Sequence, residues 1–257
     1  MGLSQDQTEQ IKELLSNKIR EKLNSYSPET QHMPFHVRLL GKDKMMLFSF
    51  IQSINTTLGT SIFEQIAEKV AQPYFKRVQR QSRLGDHISE KSLGIIQKII
   101  DDLRNGLVEP NKLKEIEQLR EVAQEEPKKQ ISSLKADIFL ESNDGIEYYF
   151  DLKTAKPNKG EVIGLKRTLL EWAAIRLLQN RDVCIYTGLA IPYNPYAPSD
   201  YDRRTFRPMF DLQHELKVAD DFWNFLGGDG TYQQLLDIFE EVGIALRDDI
   251  NRKFTTL

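Results

Sequence analysis

Asp137, Asp151 and Lys153 are of types, and at a spacing, that let them act together. Asp137 lies in the apolar run Ala136-Asp137-Ile138-Phe139-Leu140. Asp151 and Lys153 close residues 146–154, Ile-Glu-Tyr-Tyr-Phe-Asp-Leu-Lys-Thr. Between them Asn143-Asp144-Gly145 is a hairpin turn signal. Side chains alternate across a sheet, so Ile146, Tyr148, Phe150 and Leu152 share one face. Glu147, Tyr149, Asp151 and Lys153 share the other, with the acid and the lysine about 7 Å apart along the strand. On the partner strand the Asp137 carboxylate can meet Asp151 at the end of the sheet beyond the turn. Two carboxylates and a backbone carbonyl such as that of Leu152 form a hard oxygen set suited to Mg²⁺. Such an ion polarises a phosphodiester and lowers the pKa of a bound water. Lys153 beside it can position or deprotonate that water and offset charge on a pentavalent phosphate. The bland reading is a salt bridge at a sheet edge. Against it stands the cost of two ionised groups on a strand face that the next helix should cover.

These strands need a scaffold. A long amphipathic helix is predicted from about Val162 to Gln179, followed by a nearly continuous apolar run from Val183 to Ile191. That run reads as a strand buried on both faces. Strand, helix and strand of this length form a right-handed parallel crossover. Before Lys135 the periodicity is helical: 5–24, 43–57, Ile62 to about Val78 with a kink at Pro73, and 89–104. Leu58-Gly59-Thr60 reads as a break, with Thr60 or Ser61 capping the next helix. Residues 108–130 are charged with weak periodicity. After the crossover come a Pro/Tyr/Arg-rich loop over 192–210 and helical patterns at 219–226 and 231–251. The expectation is one α/β domain over 1–257: a mainly helical part (1–134), a core (135–195) and a loop with C-terminal helices (196–257).

The 257 residues are 40% hydrophobic, enough for a sizeable core, with 35 basic against 38 acidic side chains and a net charge of −3. That balance excludes a histone-like basic protein and a disordered tail. No stretch reaches the roughly 18 apolar residues of a membrane span, and the charged N-terminus does not read as a signal peptide. One cysteine, Cys184, excludes a disulfide framework and a multi-cysteine zinc site; it is expected in the core. The chain is therefore expected to be soluble and intracellular. The charge is uneven, net −4 over 216–257 and +1 over 1–215. Lys69 to Arg83 holds five basic residues and no acid, and 153–167 holds five against Glu161 alone. Two such stretches fit an anion-binding face or, more plainly, solvated helix faces.

Lys135-Ala136-Asp137 with Asp151-Leu152-Lys153-Thr154 resembles the PD-(D/E)xK nuclease signature, with Ala136 where proline is usual. Leu58-Gly59-Thr60-Ser61-Ile62-Phe63-Glu64-Gln65-Ile66-Ala67 resembles the N-terminal helix of a group of type II restriction endonucleases. Pro192-Tyr193-Asn194-Pro195-Tyr196 and Asp221-Phe222-Trp223-Asn224-Phe225-Leu226-Gly227-Gly228 are similar to the same group. Within that group the sequence resembles TdeIII-like enzymes, over most of residues 45–245. The resemblance implies a restriction-endonuclease-like fold and Mg²⁺-dependent hydrolysis of duplex DNA at a short palindrome, GGNCC. A palindromic target needs matching symmetry, so a homodimer or two monomers acting together is expected, and the resemblance implies a prokaryotic cytoplasm and a methyltransferase that protects host DNA. In that group the helix acid joins the metal site, which maps to Glu64 beside Asp137, Asp151 and the Leu152 carbonyl. From periodicity alone Glu64 lies off the apolar stripe of its helix and could simply face solvent.

Phosphate contacts are expected from Lys156 and Lys159, and from Arg77, Arg80 and Arg83 along the backbone. Arg203, Arg204 and Arg207 lie in a polar loop suited to reading guanine in the major groove; Tyr193, Tyr196 and Phe206 are expected to pack that loop. His32, His36, His87 and His214 show no metal spacing. Gly227-Gly228-Asp229-Gly230 lacks the lysine and preceding strand of a phosphate loop and reads as a turn. Trp172 and Trp223 read as packing. Two rivals remain: a structure-specific repair or junction nuclease of the same superfamily, and a non-catalytic DNA-binding protein with this fold.

Overall fold

The protein is described from a computed structural model covering residues 2–27, 33–153 and 156–255. Helix α1 (Gln5–Ser25) starts from a capping box in which Ser4 and Gln7 satisfy each other's backbone groups. A short helix α2 (Pro34–Leu40) precedes α3 (Lys42–Thr57). The expected break at Leu58 is not there. The helical run continues through one π turn (Leu58–Ile62) into α4 (Phe63–Ala71), so neither Thr60 nor Ser61 acts as a cap.

Helix α4 ends before Pro73, whose ring cannot enter a helix interior. The predicted helix to Val78 is replaced by β1 (Arg77–Ser89), a 13-residue edge strand. Its outward residues are arginine and glutamine, so it carries too little apolar alternation to be read from sequence. Then come α5 (Glu90–Arg104), α6 (Lys112–Val122), β2 (Lys128–Glu141) and β3 (Glu147–Leu152). Strand β2 begins at Lys128, so the sheet extends N-terminal to the predicted boundary at Lys135. The early half of β2 is polar because it pairs only with the edge strand.

The crossover is as expected: α7 (Val162–Gln179) links β3 to a parallel β4 (Ile185–Ile191). A three-residue β5 (Leu216–Val218), too short to show a period, adds parallel to β4. Helices α8 (Asp220–Gly227), α9 (Thr231–Ala245) and α10 (Arg247–Thr255) follow. Gly228 and Gly230 sit at φ 86° and 87° in the α8–α9 turn, a left-handed conformation that favours glycine.

The sheet order is β1-β2-β3-β4-β5, antiparallel through β3 and parallel from β3 onward. Ile138, Leu140, Phe150 and Leu152 pack with α4, α8 and α9 on one face. Phe139, Tyr149, Leu169 and Trp172 pack with α5, α6 and α7 on the other. Trp172 and Trp223 are buried as expected, but Cys184 is exposed just before β4 begins, a correction to its core assignment. Among the described residues no helix is long and apolar enough to cross a membrane. A mixed sheet with helices on both faces is the α/β restriction-endonuclease-like arrangement.

Candidate active site

The β2–β3 ladder pairs Ile138 with Phe150 as its last step. Asp137 and Asp151 stand one position further on, where the two strands part. The Leu152 N–H points toward β2 with no ladder partner there, and the Asp137 Oδ2 accepts from it at 2.8 Å. A carboxylate thus replaces a backbone carbonyl and fixes Asp137 against the Asp151 strand. The carboxyl groups of Asp137 and Asp151 lie within hydrogen-bonding reach. Lys153 Nζ donates to Asp151 Oδ1 at 2.5 Å.

Asp151 is only 9% exposed. Burial raises its pKa, the Lys153 charge opposes the rise, Asp137 adds to it, and the result is about 7. Glu64, on α4, is 5% exposed, so the solvent-facing alternative does not hold. Burial lifts its carboxyl first, a hydrogen bond from Gln81 offsets part of the rise, and the Asp137 charge adds to it.

Gln81 is the residue that sequence reading missed. Its Nε2 donates to Glu64 Oε2 and to Asp137 Oδ1, each at 3.0 Å. The geometry rests on an unusual backbone, since Gln81 sits at φ 50° on β1 opposite Asp137. A non-glycine residue there stores strain that persists only where its surroundings hold it. Nothing in the residue types announces that conformation.

The described residues contain no cage of three acidic, histidine or cysteine side chains already closed around a vacant centre. What they offer is a close carboxylate pair, with Glu64 joined through Gln81. A buried acid whose ionisation is opposed by burial and then by Asp137 is relieved by a hard divalent cation, so the carboxylate pair suits one.

The predicted DNA contacts are placed unequally. Arg83 is exposed on β1, whereas Arg80 is bonded to Glu68 at 2.7 Å and Arg77 to Glu141 at 3.4 Å. Arg77 also lies over the Phe139 ring. Lys156 is exposed and stands 5.1 Å from the Tyr196 ring centroid. The Lys159 side chain, like His32, lies outside the described residues. In the 201–210 loop Arg207 is held bidentately by Asp202 at 2.8 Å and 2.8 Å. Arg203 is half-buried against Thr205 and Phe206, and Arg204 is exposed. Phe206 is buried and Tyr196 half-buried, as expected of packing residues, but Tyr193 is exposed. His87 and His214 each pair with a neighbouring aspartate, Asp86 and Asp211.

A second unforeseen cluster supports that loop. Lys166 on α7 is completely buried. Its Nζ reaches Glu115 Oε2 at 2.6 Å and Glu215 Oε2 at 2.7 Å, while Lys112 Nζ reaches Glu215 Oε1 at 3.0 Å. Glu215 Oε2 also accepts the Asp211 N–H at 2.9 Å, tying the end of the loop to α6 and α7. Burial works against the Glu215 charge, but the two ammonium groups outweigh it and hold its carboxyl below the usual range. Burial pulls Lys112 down.

An α/β sheet that brings two acids and a lysine to its parted strand ends belongs with the restriction-endonuclease-like proteins. Residues 3–243 match the family described as type II restriction endonuclease, HinfI, and the chain belongs to that family. It is 28% identical over 236 residues to the type II restriction enzyme HgiEI of Herpetosiphon aurantiacus, covering 90% of this chain and 84% of that protein. It is also 28% identical over 285 residues to the type II restriction enzyme MjaII of Methanocaldococcus jannaschii, covering 99% of this chain and 74% of that one. The chain is therefore a hydrolase of the site-specific deoxyribonuclease class.

Proposed function

We propose that this protein cuts both strands of duplex DNA at a short palindrome, using Mg²⁺ and the Asp137–Asp151–Lys153 centre. The palindrome implied by the sequence resemblance is GGNCC. The observation that carries the reading is the placing of two carboxylates where β2 and β3 part, one accepting from the Leu152 N–H at 2.8 Å and the other from the Lys153 ammonium at 2.5 Å. Asp137 and Asp151 would hold the ion, with the Leu152 carbonyl and Glu64 completing the set. When bound, the ion supplies polarisation of the scissile phosphate and a more acidic water.

The remaining steps belong to the chain. Lys153 holds a positive charge at the phosphate, where negative charge grows as a fifth oxygen bonds to phosphorus. Its ammonium also orients the attacking water. Asp137, anchored by the Leu152 N–H, keeps the acids in register with the strand end. Lys156 and Lys159, Arg83 and the other β1 arginines contact phosphates, and Arg204 reads a base. Arg203 and Arg207 contact DNA only after leaving their present partners. The protein acts as one domain, as a homodimer in a prokaryotic cytoplasm, beside a methyltransferase that protects the host.

Glu64→Gln tests the third acid. The amide keeps the size of the side chain and can still accept from Gln81. The expected outcome is an unchanged fold and cleavage slowed by about 10–100-fold, as for residues supporting a metal site. An unchanged rate removes Glu64 from the site.

Specificity is tested with short duplexes carrying GGNCC, each single-base change of it, and branched or nicked DNA without it. Cleavage confined to one palindrome supports the restriction reading; whether that palindrome is GGNCC tests the assignment of the site. Cutting that follows branches or nicks in any sequence supports the repair-type nuclease instead.

A further inference from the structure

We propose that the α2–α3 face is the surface through which two copies of this chain pair. The proposal rests on the palindromic substrate proposed above, because a two-fold symmetric target calls for two centres related by a two-fold axis. Helix α2 has no buried residue, and its main packing among the described residues is along α3. Phe35 is 84% exposed, Leu39 82% and Phe48 52%, and Leu47 and Ile51 beside them are also exposed. Together such side chains leave roughly 600 Å² of apolar area uncovered, close to the ~800 Å² that each partner contributes to a stable interface. A soluble chain rarely leaves a patch of that size bare.

The chemistry of the face selects the occupant. Residues 45–51, Met-Met-Leu-Phe-Ser-Phe-Ile, contain no charge, so this part of the face is apolar, and on α2 the exposed His36 and Arg38 lie between Phe35 and Leu39 as polar residues at its border. The charges Lys42, Asp43 and Lys44 stand at one end, as in the polar rim of a protein interface. Ile51 also borders an apolar groove of about 290 Å³ walled by Phe50, Ile54, Phe239 and Leu246. Protruding Phe35 and Leu39 and a groove on neighbouring parts of the surface form the self-complementary pair that an isologous contact uses.

The face is also mechanically joined to the catalytic centre. Helical backbone runs without interruption from α3 through the π turn to Glu64 on α4. Ile51 and Glu64 are thirteen residues apart on it, about 20 Å at helical rise. Pairing through α3 therefore fixes the separation of two active sites through a stiff element.

The test is the mass in solution by sedimentation equilibrium at micromolar concentration without DNA, for the full chain and three variants. The expected mass is twice 29.8 kDa for the wild type, and 29.8 kDa for Phe48→Asp and for Phe35→Asp/Leu39→Asp. Leu107→Asp, at an exposed leucine elsewhere, should stay dimeric. If Phe48→Asp loses its circular dichroism signal, the α2 variant supplies the reading, because no α2 side chain is buried. A monomeric wild type, or face variants that remain dimers, overturns the proposal. These outcomes do not depend on cleavage. A protein that pairs this way but cuts no DNA overturns the nuclease reading alone.

Discussion

Asp151→Asn should abolish cleavage and, in the absence of metal, make the protein more stable. The two effects have one cause. Asp151 is buried beside Asp137, and its pKa of about 7 lies well above its ordinary value of 3.8. Ionising it in the folded state is therefore disfavoured. The penalty is absent below the unfolded value, grows as pH rises toward 7 and is complete above that. The amide removes the charge and keeps the shape. The melting temperature of the variant should exceed that of the wild type by at least about 3 °C at pH 8, with the gap closing toward pH 4. Cleavage should fall by ~10³-fold or more, since in the proposed mechanism Asp151 holds the metal and its loss removes several kcal/mol of transition-state stabilisation. Melting curves in a chelator across that pH range, with a plasmid assay beside them, check both parts. A variant that melts lower than wild type at pH 8 contradicts the electrostatic account of the site.

Lys166→Met should be the most damaging single replacement away from the site. The ammonium is fully buried between Glu115 and Glu215. With it gone, Lys112 still pairs Glu215, but Glu115 loses its bonded cation and keeps only the longer-range Lys112 charge. Breaking a buried pair costs ~3–5 kcal/mol, because the remaining charge stays desolvated. For a chain of this size that lowers the melting temperature by roughly 10 °C. Lys166→Met/Glu115→Leu removes the stranded acid as well and should recover most of the loss. Because Glu215 also holds the Asp211 N–H, the single variant should bind DNA more weakly through the 201–210 loop. A single variant melting within about 2 °C of wild type shows the cluster to be dispensable.

The strands that carry Asp137 and Asp151 were legible because their signals are local. Asn143-Asp144-Gly145 sets the hairpin, and strict alternation puts Asp151 on the face opposite Phe150. The α7 crossover was legible for the same reason, with its long amphipathic stretch and the apolar run after it. Strand β1 was not, because an edge strand facing solvent with arginine and glutamine lacks the apolar alternation that marks a strand. With it went Gln81, whose left-handed backbone no sequence pattern predicts. The cluster of Lys166, Glu115, Glu215 and Lys112 was not legible, since only the fold brings residues some fifty to a hundred positions apart together in one buried group. Glu64 was placed by resemblance and not by periodicity. Its burial follows from α4 lying across the β1–β2 end of the sheet, where Gln81 reaches it.

The most direct measurement is a digest of unmethylated phage DNA with Mg²⁺ by the wild-type protein, Asp151→Asn and Lys153→Ala, followed by sequencing of the ends. The account predicts discrete fragments from the wild type, every end falling within one short palindrome, and no fragments from either variant. Folded wild-type protein that binds the DNA and leaves it intact in both Mg²⁺ and Mn²⁺ would contradict it. So would fragments that persist in the two variants.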